Sequence, residues 1–303
     1  MGNNCRQVSV GMNILQEVGQ QLDRNIFPNV TNGGVVVPNT VPVSSLNLGE
    51  EKKDAKQSQR RPESQPRPRS TRRQRQANRS WQTSPAASII SPKLKILCDN
   101  ELNAVNDAYP NTQVWQQKEE TWLLTESSLL PDHWQKAIFL TVIPFVWPYT
   151  ARSWGFWEGG LLRDPVWIGP RHTNFPDGSV CAFEPTDKTW LVGQSIVTLL
   201  DMYTLWALRH LHLQVFGRWP GRQAVFHPCE RLLELKENEL CGCGESNKVY
   251  GECCQENDLA RDRVTDAIDF FLSTNGAYRK AQSAVVRFLR EQKDPPRFIS
   301  LMH

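Results

Sequence analysis

Arg171-His-Thr-Asn-Phe-Pro-Asp-Gly-Ser-Val-Cys181 is the stretch on which the reading of this chain turns. A histidine and an asparagine lead into a Pro-Asp-Gly turn, and the turn delivers a cysteine among apolar residues. A thiol fixed at the end of a rigid turn can carry an acyl group as a thioester. An amide N–H from Asn174 can stabilise the oxyanion that forms when such a thioester is attacked. An ordinary thiol pKa of about 8.5 means that a carrier needs only modest activation. A carrier, unlike a protease nucleophile, also needs no tightly held histidine base. His172 therefore has two readings, one at the chemistry and one as a structural ring that fixes the turn. The alternative for Cys181 itself is a small buried hydrophobe, the common fate of a free cysteine.

Outward from the turn, the chain divides by composition. Ten of the eleven tryptophans fall between Trp115 and Trp219, which places the core there. The segment from Glu50 to Ser80 holds eleven Lys/Arg and four acidic residues, a local charge of +7 in a chain whose net charge is only +3. General nucleic-acid affinity therefore does not follow from net charge. The Arg-rich segment reads either as a solvated linker or as a salt-sensitive contact to nucleic acid or an acidic partner. Residues 41–87 have almost no large apolar side chains before Trp81, so residues 1–88 are expected to be a disordered, basic, Pro/Arg-rich region with one short helix near Ile14–Leu22. No charged-then-apolar start marks a signal peptide. The apolar run 189–216 is broken by Asp201, Arg209, His210 and His212, against membrane insertion.

Periodicity predicts a short helix or turn over Asp99–Asp107, strands over Trp115–Leu124, Ala137–Val146 and Pro165–Ile168, then one long helix over Thr189–Phe216, stopped by Gly217 and Pro220. Further short helices are expected over Glu230–Glu239, Asp258–Leu272 and Tyr278–Arg290, followed by a tail. Strands first, then the Cys turn, then helix argues for an α+β domain with an antiparallel sheet backed by helices. The expected units are 89–235 for that domain, 236–258 for a small metal knuckle and 259–303 for a helical tail.

The knuckle rests on Cys241-Gly-Cys243 and Cys253-Cys254. Four thiolates within fourteen residues can close a tetrahedral zinc site, and Gly242 and Gly244 let the backbone wrap the ion. Unrelated or disulfide-paired cysteines are the alternative. Clustered cysteines at ligand spacing suit a reducing cytoplasm better than an extracellular disulfide framework. His133, His210, His212 and His227 are scattered and read as packing or surface residues; His227 has a possible place near the thiol. Trp190 is a candidate for shaping the site.

The segment resembles the ubiquitin-conjugating (E2) family, in which His-Pro-Asn and a short turn precede Gly-x-Ile/Val-Cys. The matching residues are His172-Thr173-Asn174 and Gly178-Ser179-Val180-Cys181; Thr173 stands where the family has proline, and the turn is one residue shorter. A closer resemblance is to the E2-like proteins of type II CBASS antiphage operons. It is carried by Ile168-Gly-Pro170, His172, Asp177-Gly178, Val180-Cys181, Pro185-Thr-Asp-Lys-Thr-Trp190, the helix through Trp206, and Gly217-Arg-Trp219-Pro-Gly221 with His227-Pro228. It covers roughly 110–228. The knuckle resembles the SEC-C motif, with Glu245-Ser246-Asn247 in place of its Ser-Gly and one extra residue in the spacing. These resemblances imply a UBC-like fold in which Cys181 carries a partner protein's C-terminus, with His172 and Asn174 beside it. That partner would be a cGAS-like nucleotidyltransferase or another ubiquitin-like tail, passed to a target protein's amine. No Gly-rich phosphate loop is present, so an activating partner, or an already activated carboxyl, must come from outside. Two other readings remain at this point: a catalytically silent UBC-like adaptor with a structural Zn2+, and a nucleic-acid-binding protein using the Arg-rich linker and the knuckle.

Overall fold

A computed structural model of the chain describes residues 2–31, 34–39, 91–128, 130, 136–146, 149–159, 165–182, 190, 193–244, 247–274 and 279–301. Residues 41–87 with their Arg cluster, the Pro185–Lys188 part of the sequence pattern, and His133 lie outside them.

The sheet is a five-stranded antiparallel meander in chain order: β3 (Gln113–Gln116), β4 (Glu120–Glu126), β5 (Ala137–Pro144), β6 (Arg152–Trp157) and β7 (Val166–Trp167). The helix α2 (Pro92–Ala108) precedes it, and α3 (Ile196–Phe216) follows the thiol segment. The chain is thus α+β. Because side chains alternate along a strand, the central strands sort their residues by face. Leu123, Phe139, Ile143 and Trp157 join α2 and α3 in one core. Trp122, Leu124, Leu140, Val142, Trp154 and Phe156 line the opposite face. Both faces are apolar, so both must be covered.

The first face also takes up the N-terminal segment. Residues 1–40 were expected to hold little structure beyond a short helix. The chain instead forms α1 (Gly2–Asp23) and a hairpin of β1 (Asn29–Thr31) and β2 (Val35–Val37). Leu15, Val18 and Leu22 are buried against the α3 core, so the apolar stripe read at Ile14, Leu15, Val18 and Leu22 belongs to a longer helix. Gly19 permits that approach, since a Cβ there would lie 2.3 Å from His212 Nε2.

The second face is closed by the C-terminus. After α4 (Pro228–Glu234), α5 (Gln255–Leu259) and α6 (Arg263–Ser273), the helices α7 (Ser283–Glu291) and α8 (Phe298–Leu301) lay Val285, Phe288, Leu289, Phe298 and Leu301 onto it. Phe288 meets Trp122 and Trp115 edge-on, at 5.6 and 5.0 Å. The buried Glu120 carboxylate accepts from Trp122 Nε1 and from the Phe298 N–H, each at 3.0 Å. Burial raises the Glu120 pKa, and these two donors oppose the shift. Phe298 and Leu301, within the residues read as a tail, are therefore part of the core.

Two further differences have plain causes. The single strand expected over Trp115–Leu124 is a hairpin, because Gln117–Glu119 turn between β3 and β4. The strand β6 was not anticipated: Ser153 and Gly155 interrupt its apolar pattern. Gly155 is required because the Trp206 ring of α3 stands where its Cβ would be, at 2.5 Å. Among the described residues no helix is long and apolar enough to cross a membrane.

Candidate functional site

The thiol segment runs along the end of β6. Ile168 N–H donates to Gly155 O at 2.9 Å and Val180 N–H to Ser153 O at 2.7 Å, so the backbone on both sides of the turn is tied to one strand. Thr173 and Val180 form an antiparallel bridge, and Cys181 N–H donates to His172 O at 2.8 Å. Within the turn, Asp177 Oδ1 accepts from the Ser179 N–H at 2.9 Å and from its hydroxyl at 2.8 Å. The Trp154 indole reaches Asp177 O at 2.8 Å. Gly178 has φ +67°, and a Cβ there would lie 2.5 Å from Lys280 C, so glycine is needed for conformation and for space. The turn is over-determined, as a pre-positioned group requires.

Cys181 is half-buried and faces an open cavity of about 460 Å³ between α3 and the segment that follows α1. His172, Met202, Trp206, Arg209 and Trp219 are among its other walls. Arg279 stands near enough for its charge to interact with Cys181. Its guanidinium pairs with Glu230 and Glu234 and lies 4.0 Å over the Phe175 ring.

The two residues expected beside Cys181 hold the turn. Asn174 donates its side-chain amide to Ser179 Oγ at 3.0 Å and to Val180 O at 3.4 Å, so both N–H groups stay inside the turn. The oxyanion role read for Asn174 is not formed in this arrangement, because the amide is already committed. His172 adopts φ 51° and stacks on Trp219 at 4.8 Å. Burial, assisted by the charge of Arg209, pushes its pKa down to about 3. The ring is thus neutral and a poor proton acceptor, which favours its structural reading. His210 donates through Nε2–H to Arg171 O at 2.9 Å, and His212 through Nδ1–H to Arg218 O at 2.9 Å. His227 caps α4 through Nδ1, which accepts from Cys229 N–H at 3.2 Å, and it does not line the thiol cavity. Trp190 is buried and donates to Ser195 O at 2.9 Å, at the start of α3, away from that cavity.

The second constellation is metal-binding in form. The Sγ atoms of Cys241, Cys243, Cys253 and Cys254 all lie within 4.8 Å of one another, and among the described residues no other cluster of this kind occurs. Two of the spacings are 3.8 Å (Cys243–Cys253) and 3.7 Å (Cys253–Cys254). Four thiolates around one ion at a metal–sulfur distance of about 2.3 Å stand about 3.8 Å apart, so the donor set fits a tetrahedral ion such as zinc. Gly242 packs where a Cβ would meet Val225 at 2.7 Å. Behind the thiols, Arg231 makes a buried two-pronged pair with Asp258, and Tyr250 donates to the same carboxylate at 3.2 Å. Separations of 3.8 and 3.7 Å are far longer than an S–S bond of about 2.05 Å, against the disulfide alternative for these sulfurs.

Sequence reasoning missed the residue that joins the two constellations. Glu239 is fully buried. It accepts from Arg171 Nη1 at 2.7 Å, from Trp219 N–H at 2.7 Å and from Lys236 N–H at 3.2 Å. Arg171 is the residue before His172, and its carbonyl also accepts from Trp206 Nε1 at 3.1 Å. In the sequence Glu239 is one of four acids over Glu230–Glu239, and nothing in their spacing singles it out. Glu239 therefore ties the segment that leads into the knuckle to the thiol segment; all described residues fall in one compact unit. Compared with protein-family models, curated proteins and solved structures, the chain matched none.

Proposed function

We propose that the protein is an E2-like acyl carrier: Cys181 takes a partner protein's C-terminus as a thioester and passes it to an amine. The observation that carries this reading is a half-buried thiol opening on a cavity of about 460 Å³ at the end of a turn tied down from both sides. The antiparallel strands, thiol segment and long helix also accord with the antiparallel sheet backed by helices that the ubiquitin-conjugating resemblance implies.

In the first step the Cys181 thiolate adds to the carbonyl carbon of an activated acyl donor. A C–S bond forms, and the activating group leaves with its electron pair. In the second step a target amine adds to the thioester carbon, the C–S bond breaks, and the thiolate is regenerated. The amine proton passes to solvent or to a group on the target, since His172 is too weak a base. The activated donor is supplied by another enzyme. By the type II CBASS resemblance, the carried chain is a cGAS-like nucleotidyltransferase. The four-cysteine knuckle holds a structural zinc ion, with every ligand position filled by thiolate, in a reducing compartment such as the cytoplasm.

Cys181→Ser, produced together with the acyl donor and its activating enzyme, tests the reading. It is expected to accumulate an oxyester that survives reducing agent, whereas the wild-type adduct is lost. Absence of either adduct would favour the silent adaptor.

A further inference from the structure

Arg209 projects from α3 into the cavity that Cys181 faces. It makes no hydrogen bond or ion pair among the described residues, and its Nε is buried without a partner. The nearest acid that acts on it, Asp23, is already taken by Arg218 at 2.8 and 2.9 Å and by Gly221 N–H at 2.8 Å. Much of the remaining wall is apolar, including Leu22, Met202, Leu205 and Trp206. A second guanidinium, Arg222, lies at the exposed rim and donates to Asn247 at 2.7 Å. Among the described residues no Asp or Glu lines the cavity.

We infer that this cavity is a carboxylate subsite for the acyl donor: Arg209 pairs with a negatively charged group on the tail while the reacting carbonyl meets Cys181. A cavity of about 460 Å³ lies within the range of about 300–1,000 Å³ typical of small-ligand sites. The planar fork of a guanidinium matches a carboxylate in two-pronged fashion. Arg209 is the one guanidinium set into the apolar wall, while Arg222 stays at the exposed rim with Asn247; a single inner charge suits a carboxylate better than a phosphate of about −2. Burial holds the Arg209 pKa down to about 10, a shift that an anionic ligand would offset. The inference deepens the carrier reading and rests on it.

Alkylation of the intact protein with iodoacetate and with neutral iodoacetamide tests the subsite. In both reactions the thiolate sulfur displaces iodide, and only the first reagent carries a carboxylate. Rates at Cys181 are read by mass spectrometry of its peptide, with free glutathione as reference. The iodoacetate-to-iodoacetamide ratio at Cys181 is expected to exceed that of glutathione by about tenfold, in keeping with one charge-assisted contact. The iodoacetate rate should also saturate with concentration. Arg209→Met should abolish both effects and Arg209→Lys should retain part of the preference; saturation in the wild type stands even where a variant fails to fold. A ratio equal to that of glutathione, or one unchanged in a folded Arg209→Met, overturns the subsite. Stronger protection of Cys181 by inorganic phosphate than by acetate also overturns the carboxylate assignment. If Cys181 reacts with neither reagent, the carrier reading itself fails; if it reacts with iodoacetamide without preference, only the subsite does.

Discussion

At the scale of single residues, burial has turned two histidines into neutral packing groups. Burial pushes the pKa of His172 down to about 3 and that of His210 to about 4, the latter despite its bond to Arg171 O. An exposed imidazole titrates near 6.5. Between that value and these lower ones the unfolded chain binds more protons than the folded one, so stability rises with pH there. The chain is expected to lose stability progressively as pH falls below about 6.5. Thermal melts across pH 7 to 4 measure it. Asparagine tolerates the left-handed backbone at position 172, so His172→Asn is the suitable variant. It should flatten the pH dependence while lowering stability at pH 7 through the lost stacking on Trp219. A slope as steep as the wild type's would show that His172 does not carry the effect. In the sequence, His172 was legible as a residue of interest, but its neutrality depends on Trp219 and Arg209, far along the chain.

At the scale of elements, the contact that matters most is that between the knuckle and the thiol turn. Removing one partner of a buried ion pair leaves an uncompensated charge, at a cost of about 3–5 kcal/mol. Glu239→Ala is expected to destabilise by that order in denaturant titration, since it strands Arg171 and the Trp219 N–H together. A loss below about 1 kcal/mol would mean that water replaces the carboxylate. Metal should act through the same connection. One zinc ion per chain is expected by elemental analysis, and Cys253→Ser or a strong chelator should lower the melting temperature. An unchanged melt after complete metal loss would separate the knuckle from the fold. The cysteine spacing announced this element, because ligand chemistry is local in sequence. The strands over Ala137–Val146 and Pro165–Ile168 were legible for the same reason, as local patterns; the long helix expected over Thr189–Phe216 was legible at its Gly217 end but begins only at Ile196, since Gly193, at φ +101°, lies before it. The β6 strand was not, since Gly155 makes sense only once Trp206 is placed against it.

For the whole molecule, the sheet is apolar on both sides and depends on both ends of the chain. Phe288 is buried edge-on against the Trp115 and Trp122 rings, so Phe288→Ala should cost about 3–5 kcal/mol in denaturant unfolding. A cost under about 1 kcal/mol would indicate that α7 is only loosely attached. The coverage by α7 and α8 could not be read in advance, because short amphipathic helices do not disclose which face they seek. The carrier proposal also belongs to this scale, since it needs the turn from the sheet, the cavity from α3 and an acyl donor from outside. Its most direct test is the intact mass of the protein isolated under non-reducing conditions from cells that also make its acyl donor and activating enzyme. The account predicts a protein-sized adduct that disappears with dithiothreitol and maps to Cys181. A chain that never gains such an adduct, or gains it only on another cysteine, would contradict it.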